Sequence, residues 1–206
     1  MDIFVGGMMD DLPLPNRGYG ALHDYAARYR DETGRPTRYF PNNRVDLVVE
    51  AIREGNGSLG PVNLVGHSYG GPDAYNAAVR ARKEGLRVDN LIALDPVTGF
   101  HARPEGSSGA DRWLHVQATT DRPNFSDAIT NVIYASQKPS RLPIQDADQI
   151  VTIEANHEAA ETMLRASGAR ARLDESRRRP AWQGPDDNPP TPDWMKQRTN
   201  DVAGRR

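Results

Sequence analysis

The serine at position 68 lies in a sequence pattern that could make it a nucleophile. The sequence GHSYG at Gly66–Gly70 has the form G-x-S-x-G, and it stands between an apolar run at residues 62–65 and a segment with helical spacing. A serine at such a strand-to-helix turn is held in a strained conformation with its hydroxyl exposed at the top of a sheet. The glycines leave room where a Cβ would clash. The pattern predicts that Ser68 attacks an electrophilic carbon, and the positive end of the following helix favours the resulting oxyanion.

A serine nucleophile needs a base to remove its proton and a third group to orient that base. After this type of turn, the order along the chain is serine, then Asp or Glu, then His. His157 follows the last predicted strand and precedes a helix, so it can lie on a loop that faces Ser68. His101 is the alternative base. The remaining histidines receive no catalytic role: we expect His67 and His115 to pack, and His23 is not assigned.

Three aspartates are candidates for the acid that orients His157. Asp95 ends the predicted strand before Pro96, one strand beyond the nucleophile, although an aspartate before proline is also typical of a turn. Asp121 follows the next strand, and Asp127 comes a few residues later. We favour Asp95 as the acid, with Asp127 and Asp121 as the alternatives.

Stabilisation of an oxyanion requires two backbone donors near the nucleophile. The N–H of Tyr69, directly after Ser68, is one expected donor. The other should come from the loop after the first strand, which makes Gly7 or Met8 the expected second donor. The alternative interpretation of this loop is a plain turn after an edge strand.

The elements that must position these residues alternate between strand and helix. Apolar runs and helical spacing predict the following order: strand 3–5, helix 19–30, strand 37–40, helix 45–55, strand 62–65, helix 72–84, strand 88–94, strand 113–118, short helix 126–134, strand 150–153 and helix 158–165. One continuous helix is the alternative for the last two. The alternation predicts an α/β fold with a mostly parallel sheet of about six strands and helices on both faces.

Composition limits the classes of protein to which this chain can belong. The 206 residues suit one domain with a sizeable core, and a net charge of −2 does not argue for a nucleic-acid partner. The chain has no cysteine, which excludes disulfides, thiolate catalysis and cysteine-ligated zinc. We expect no metal and no organic cofactor. The first residues do not form a signal peptide and no segment has the apolar length of a membrane span, so we expect a cytoplasmic location, with export by a dedicated secretion system left open.

The end of the chain differs in composition from the rest. Residues 1–167 are expected to form the catalytic domain, and residues 168–206 a polar tail rich in proline and arginine that is flexible or docked. Trp182 and Trp194 lie within this tail. They could anchor it on the body or on a protein partner.

Taken together, these segments resemble α/β-hydrolases of the lipase and esterase type. The resemblance covers about residues 2–166 and rests on four segments: Ile3–Gly7, Gly66–Gly70, Leu94–Val97 and Asn156–Glu158. Some lipases place their acid in a similar Leu-Asp-Pro segment, which supports Asp95, whereas most members place it one strand later. The chain begins at what looks like the third strand of the usual fold, so the resemblance implies a minimal core with little room for a lid and a shallow acyl site.

A fainter resemblance is to lipase-like proteins of bacterial secretion and toxin systems. In those proteins an Asp-Pro-Val segment precedes a strand that contains tryptophan, and here Trp113 and the pair Ser126-Asp127 match this arrangement.

The expected function is that of a serine hydrolase. Ser68 would cleave a small-molecule or lipid carboxylic ester through an acyl-enzyme, with His157 as the base. A thioesterase, amidase or acyltransferase on the same fold is the first alternative, because the acyl-enzyme is common to all of them. A hydrolase-fold binding protein without turnover is the second, since a fold alone does not establish activity.

Overall fold

The computed structural model describes residues 1–8, 22–58, 60–98, 106–124, 127–128, 130–132 and 146–176. In chain order, its main elements are β1 (Asp2–Val5), α1 (Leu22–Thr33), β2 (Thr37–Phe40), α2 (Val45–Gly57), β3 (Asn63–His67), α3 (Gly70–Lys83), β4 (Asn90–Leu94), β5 (Arg112–Thr119), β6 (Gln149–Glu154), α4 (Ala160–Ala166) and α5 (Ala169–Ser176). Residues 127, 128 and 130–132 are also helical. None of the described helices is long and apolar enough to cross a membrane.

The six strands form one sheet in the order β2-β1-β3-β4-β5-β6, and every neighbouring pair is parallel. All residues of β1, β3 and β4 are buried. Strands covered on both faces are typically continuous apolar runs, which is why these three were visible in the sequence. The predicted α/β class and the parallel sheet of about six strands are confirmed.

Helices cover both faces of the sheet, as expected. On one face, α2 and α3 bury Ile52 and Tyr75 against side chains that include Trp113 of β5. On the other face, α1, α4 and α5 pack against side chains that include Phe4 and Leu94. Successive residues of β1 point to opposite cores, as the alternation along a strand requires.

The strand order reverses direction at β1. From β1 the chain passes through α1 to β2 on one side, and then through α2 to β3 on the other side. Helices α1 and α3, which follow the neighbouring strands β1 and β3, lie on opposite faces of the sheet. In open parallel sheets such a reversal creates a crevice at the carboxyl ends of the two strands, where ligands bind. Gly7 and Ser68 lie at these two ends.

The described chain continues beyond residue 167. The strand-then-helix interpretation of residues 150–165 is confirmed, but helical structure continues past residue 167, the expected end of the catalytic domain, through α5. The buried residues of α5 are Ala169, Leu173 and Ser176. With one large apolar residue among several arginines and acids, this helix has too weak a pattern to be found by periodicity. The rest of the expected tail, including Trp182 and Trp194, lies outside the described residues.

Candidate active site

Ser68 occupies the turn between β3 and α3 in a left-handed conformation, with φ of 53°. This conformation costs a residue other than glycine roughly 1–2 kcal/mol. Backbone hydrogen bonds hold the turn in place: the N–H groups of Gly71 and Val97 donate to the carbonyl oxygen of Ser68 at 3.0 Å, and the N–H of Ser68 donates to that of Leu94 at 3.0 Å. The strained turn predicted from the G-x-S-x-G pattern is therefore present.

Glycines allow the segments around Ser68 to approach each other closely. A Cβ on Gly70 would lie 2.1 Å from the carbonyl oxygen of Val5, and a Cβ on Gly66 would lie 2.3 Å from that of Gly70. A Cβ on Gly7 would lie 3.3 Å from Ser68 Oγ. The loop after β1 therefore lies directly against the predicted nucleophile. The side chain of Met8, the other candidate in this loop, is exposed.

Three side chains predicted from the sequence form one hydrogen-bonded chain. His157 Nε2 lies 2.8 Å from Ser68 Oγ, and His157 Nδ1 lies 2.6 Å from Asp95 Oδ2. All three residues are buried, each only 7 % exposed. Because an ionised carboxylate only accepts hydrogen bonds, Nδ1 carries the proton and donates to Asp95. Nε2 of the neutral ring is then an acceptor for the Ser68 hydroxyl, the arrangement that a general base needs.

Asp95 is held in place by the neighbouring strand β5. Its N–H donates to the carbonyl oxygen of Val116 at 2.7 Å, and its Oδ1 accepts from the N–H of Ala118 at 3.2 Å. Its φ is 38°, again in the left-handed region. Both carboxylate oxygens therefore have a partner, and the oxygen that faces His157 has a fixed direction.

Asp127, an alternative acid, contacts His157 through the backbone. Its Oδ1 accepts from the N–H of His157 at 2.7 Å, while its Oδ2 accepts from Asn156 Nδ2 at 2.6 Å and from the N–H of Asn124 at 2.8 Å. Burial raises the pKa of Asp127, but these hydrogen bonds outweigh burial and leave the pKa below its ordinary value. Asp121 is exposed, and no hydrogen bond joins it to His157 in the part of the chain that the structure describes.

His67 has a specific contact that the sequence did not reveal. Its Nε2 lies 2.7 Å from the carbonyl oxygen of His157, so Nε2–H donates there. The peptide groups on either side of the His157 Cα are thus fixed by two side chains, Asp127 at the N–H and His67 at the carbonyl. The position of His67 between Gly66 and Ser68 places it near the candidate site. Its partner is 90 residues away in the chain, so the sequence did not indicate which group it contacts.

The structure also describes His115 and His23. His115 is buried in β5 with its ring edge-on to Trp113, which agrees with the packing that we expected. His23 is exposed on α1 beside Tyr39. His101, the alternative base, lies outside the described residues.

Comparison with known proteins identifies the family. A family model described as "Alpha/beta hydrolase family" matches residues 11–203. Among solved structures, a protein described as a hydrolase of the α/β superfamily from Xanthomonas campestris pv. campestris is similar, with a TM-score of 0.50, 17% identity, and coverage of 85% of this chain and 96% of that one. An esterase from Pyrobaculum calidifontis has a TM-score of 0.47 and 12% identity over 85% of this chain and 76% of its own.

The thioesterase domain NocB of the nocardicin cluster is a third similar structure. Its TM-score is 0.44, with 16% identity over 81% of this chain and 93% of that domain. No curated protein matches the sequence. Since the family model spans nearly the whole chain and the sheet has the matching architecture, the protein belongs to the alpha/beta hydrolase family.

Proposed function

We propose that this protein is a serine hydrolase that cleaves carboxylic esters through an acyl-enzyme on Ser68. The observation that carries the proposal is the buried hydrogen-bond chain from Ser68 through His157 to Asp95, with distances of 2.8 and 2.6 Å. It lies at the crevice where the strand order reverses, which is where parallel sheets of this kind bind their ligands. The proposed nucleophile, base and orienting acid thus follow the order along the chain that is expected for this type of site.

In the first half of the reaction, Ser68 Oγ attacks the ester carbonyl carbon while His157 Nε2 accepts the hydroxyl proton. Asp95 keeps the proton on Nδ1 and stabilises the imidazolium that forms. The carbonyl oxygen becomes an oxyanion, for which the N–H of Tyr69 and an N–H of Gly7 or Met8 are the proposed donors. When the tetrahedral intermediate collapses, His157 gives the proton to the leaving alkoxide, and an alcohol departs.

In the second half, water replaces the alcohol. His157 takes a proton from the water, the hydroxide attacks the acyl carbon, and the bond from that carbon to Ser68 Oγ breaks. The proton then returns to Oγ and the carboxylic acid leaves. His157 must hold its ring position through both halves, and the contacts of its backbone with Asp127 and His67 support this requirement.

Covalent labelling tests the nucleophile. A fluorophosphonate probe should label the wild-type chain, and Ser68→Ala should abolish the labelling because the attacking oxygen is gone. Ser58→Ala is the control, since Ser58 lies beyond the end of α2, towards the amino end of β3, and its hydroxyl bonds to the carbonyl oxygen of Glu54. Labelling that persists in Ser68→Ala would exclude this nucleophile.

A substrate panel distinguishes ester cleavage from the alternatives that share the acyl-enzyme. We expect a p-nitrophenyl butyrate ester to be hydrolysed with a higher kcat/KM than a butyryl thioester or a butyryl anilide. A labelled Ser68 combined with thioester preference would identify a thioesterase, and a labelled Ser68 with anilide preference would identify an amidase. Failure of both labelling and turnover would favour a binding protein.

A further inference from the structure

A cavity of about 370 Å³ lies beside the hydrogen-bonded chain, on the side of its acid and base. Asp95 and His157 both contribute to its wall. Of the described residues, the nucleophile Ser68 and the proposed oxyanion donors Gly7 and Tyr69 do not line it. Among the described residues of the hydrogen-bonded chain, the cavity therefore borders the acid and the base but not the nucleophile.

The polar part of the wall comes largely from one face of β5. His115, Gln117 and Thr119 alternate along this strand and all line the cavity. Two residues earlier on the same face, Trp113 belongs to the apolar core under α2 and α3. The face thus changes from apolar to polar where the strand reaches the cavity, although a strand covered on both faces is usually apolar throughout. Thr130 and Asn131 add further polar groups.

The charges of the wall restrict the ligand. No lysine or arginine is among the described residues that line the cavity, so this described part of the wall offers no cationic partner to a phosphate or another anion. The two carboxylates in the wall, Asp95 and Asp127, already accept hydrogen bonds from protein groups. Pro96, Ala118, Pro123 and Ala155 supply the apolar part of the described wall. The other described lining residues carry hydroxyl, amide or imidazole groups, which can both donate and accept hydrogen bonds. Neutral hydroxyl groups are the ligands that match them.

Reaction geometry indicates which part of an ester would enter this space. His157 Nε2 must reach the leaving oxygen to protonate it, so the alcohol portion has to lie next to the imidazole. The oxyanion must point towards the donors near Gly7, on the other side of Ser68. At about 30 Å³ for each water-sized group, the cavity holds roughly a dozen non-hydrogen atoms. This is the size of glycerol with a substituent, or of a hexose.

We propose that this cavity binds the alcohol portion of the substrate and selects neutral, hydroxyl-bearing alcohols such as glycerol or a sugar. The inference rests on the proposed ester hydrolysis at Ser68 and adds the substrate class to it. Gln117 is the specificity-determining residue best placed for a test, because it lies in the middle of the polar row and takes no part in the hydrogen-bonded chain.

Three esters of the same acid provide the test: monobutyrylglycerol, butyl butyrate, and butyryl glycerol phosphate. We expect kcat/KM to be at least tenfold higher for monobutyrylglycerol than for either of the others. Gln117→Leu should lower the ratio of kcat/KM for monobutyrylglycerol to kcat/KM for butyl butyrate by about fivefold to tenfold, which corresponds to the loss of one hydrogen bond. Since both rates come from the same protein, a general loss of folded enzyme cancels in this ratio.

Gln149→Leu is the matched control. Gln149 begins β6, at the end of the strand opposite to the cavity, and its side chain contacts Arg172. This variant should leave the ratio unchanged. The inference would be overturned if the enzyme preferred butyl butyrate or the phosphate ester, or if Gln117→Leu left the ratio unchanged. Labelling of Ser68 would still support the proposed function in that case. Absence of both labelling and turnover would overturn the two together.

Discussion

At the scale of single residues, the two carboxylates near His157 make different contacts with it. Asp95 contacts the ring nitrogen, whereas Asp127 contacts the backbone N–H of the same residue. An acid that touches the ring sets its tautomer and stabilises its positive charge. An acid that touches the backbone holds the loop and does not set the tautomer of the ring. We therefore treat Asp127 as a positioning residue for the proposed reaction.

Substituting each acid by its amide should separate these tasks. Asp95→Asn can donate to Nδ1 and so favour the wrong tautomer, and we expect kcat/KM to fall by about 10³- to 10⁴-fold. Asp127→Asn keeps one acceptor oxygen for the N–H of His157 but turns an NH₂ group towards other donors, so we expect a loss of about 10- to 100-fold. Steady-state kinetics across pH on an ester would measure both. A larger loss in Asp127→Asn, with Asp95→Asn still active, would make Asp127 the acid.

The lowered pKa of Asp127 also predicts a pH dependence of stability. A carboxyl whose pKa is lower in the folded state stabilises the fold above its unfolded pKa, and this contribution is lost as the pH falls through the folded pKa. The free energy of unfolding of the wild type should therefore exceed that of Asp127→Asn near pH 7, and the difference should shrink as the pH falls below about 4. Urea unfolding of both proteins at several pH values measures it. A difference in the free energy of unfolding that does not change with pH would contradict a lowered pKa of Asp127 in the folded state.

At the scale of elements, the candidate site depends on the close approach of β1, β3 and α3. Helix α3 begins at Gly70, directly after the strained turn, and its first residue lies against the carbonyl oxygens at the end of β1. The first turn of α3 and the loop after β1 can then face the same point from two sides. The expected minimal core is sufficient for this arrangement, because neither of the two strands that form the crevice lies at an edge of the sheet.

Gly70→Ala tests this packing. Its Cβ would lie 2.1 Å from the carbonyl oxygen of Val5, so α3 or β1 would have to move, and we expect a loss of about 1–3 kcal/mol or more in the free energy of unfolding. Fluorophosphonate labelling should also become slower, because the nucleophile shifts with the helix. Gly57→Ala is the control: an added Cβ there meets no atom within 4 Å. Equal stability of the two variants would argue against the backbone contact.

At the scale of the whole molecule, the two ends of the sheet carry different polar groups. The carboxyl ends hold the candidate site. At the amino ends, Asp2 and Asn63 are fully buried, and Asn63 Nδ2 donates to Asp2 Oδ1 at 2.6 Å and to Ser176 Oγ of α5 at 2.9 Å. Arg35 pairs with Asp2 at 2.7 Å and donates to the carbonyl oxygen of Leu173. Helix α5 is thereby joined to the sheet at the end opposite to the candidate site.

Leu173→Ala tests whether α5 is part of the folded body. Leu173 is fully buried, so its truncation should cost about 2–5 kcal/mol. Leu47→Ala in α2 is the matched control, because Leu47 is 45 % exposed and its truncation should cost under about 0.5 kcal/mol. Chemical denaturation of both variants measures the difference. Equal stabilities would favour the predicted boundary at residue 167.

The sequence by itself determined the parts of this protein that depend on local pattern. Buried parallel strands need continuous apolar runs, and a strand-to-helix turn around a serine needs glycines on both sides, so the order of elements, the class of fold and Ser68 were all predictable. In this type of site the serine, the acid and the histidine follow one another in that order along the chain. This order identified His157 and limited the candidates for the acid to three aspartates.

Only the tertiary structure decided which aspartate contacts the ring of His157. Asp95 and Asp127 are separated from His157 by 62 and 30 residues, and both reach it within 2.7 Å. Their different partners follow from the packing of β5 beside β4 and from the loop before His157. The contact of His67 and the docking of α5 likewise join distant parts of the chain. Such contacts depend on how distant elements pack against each other, which no local pattern of residues encodes.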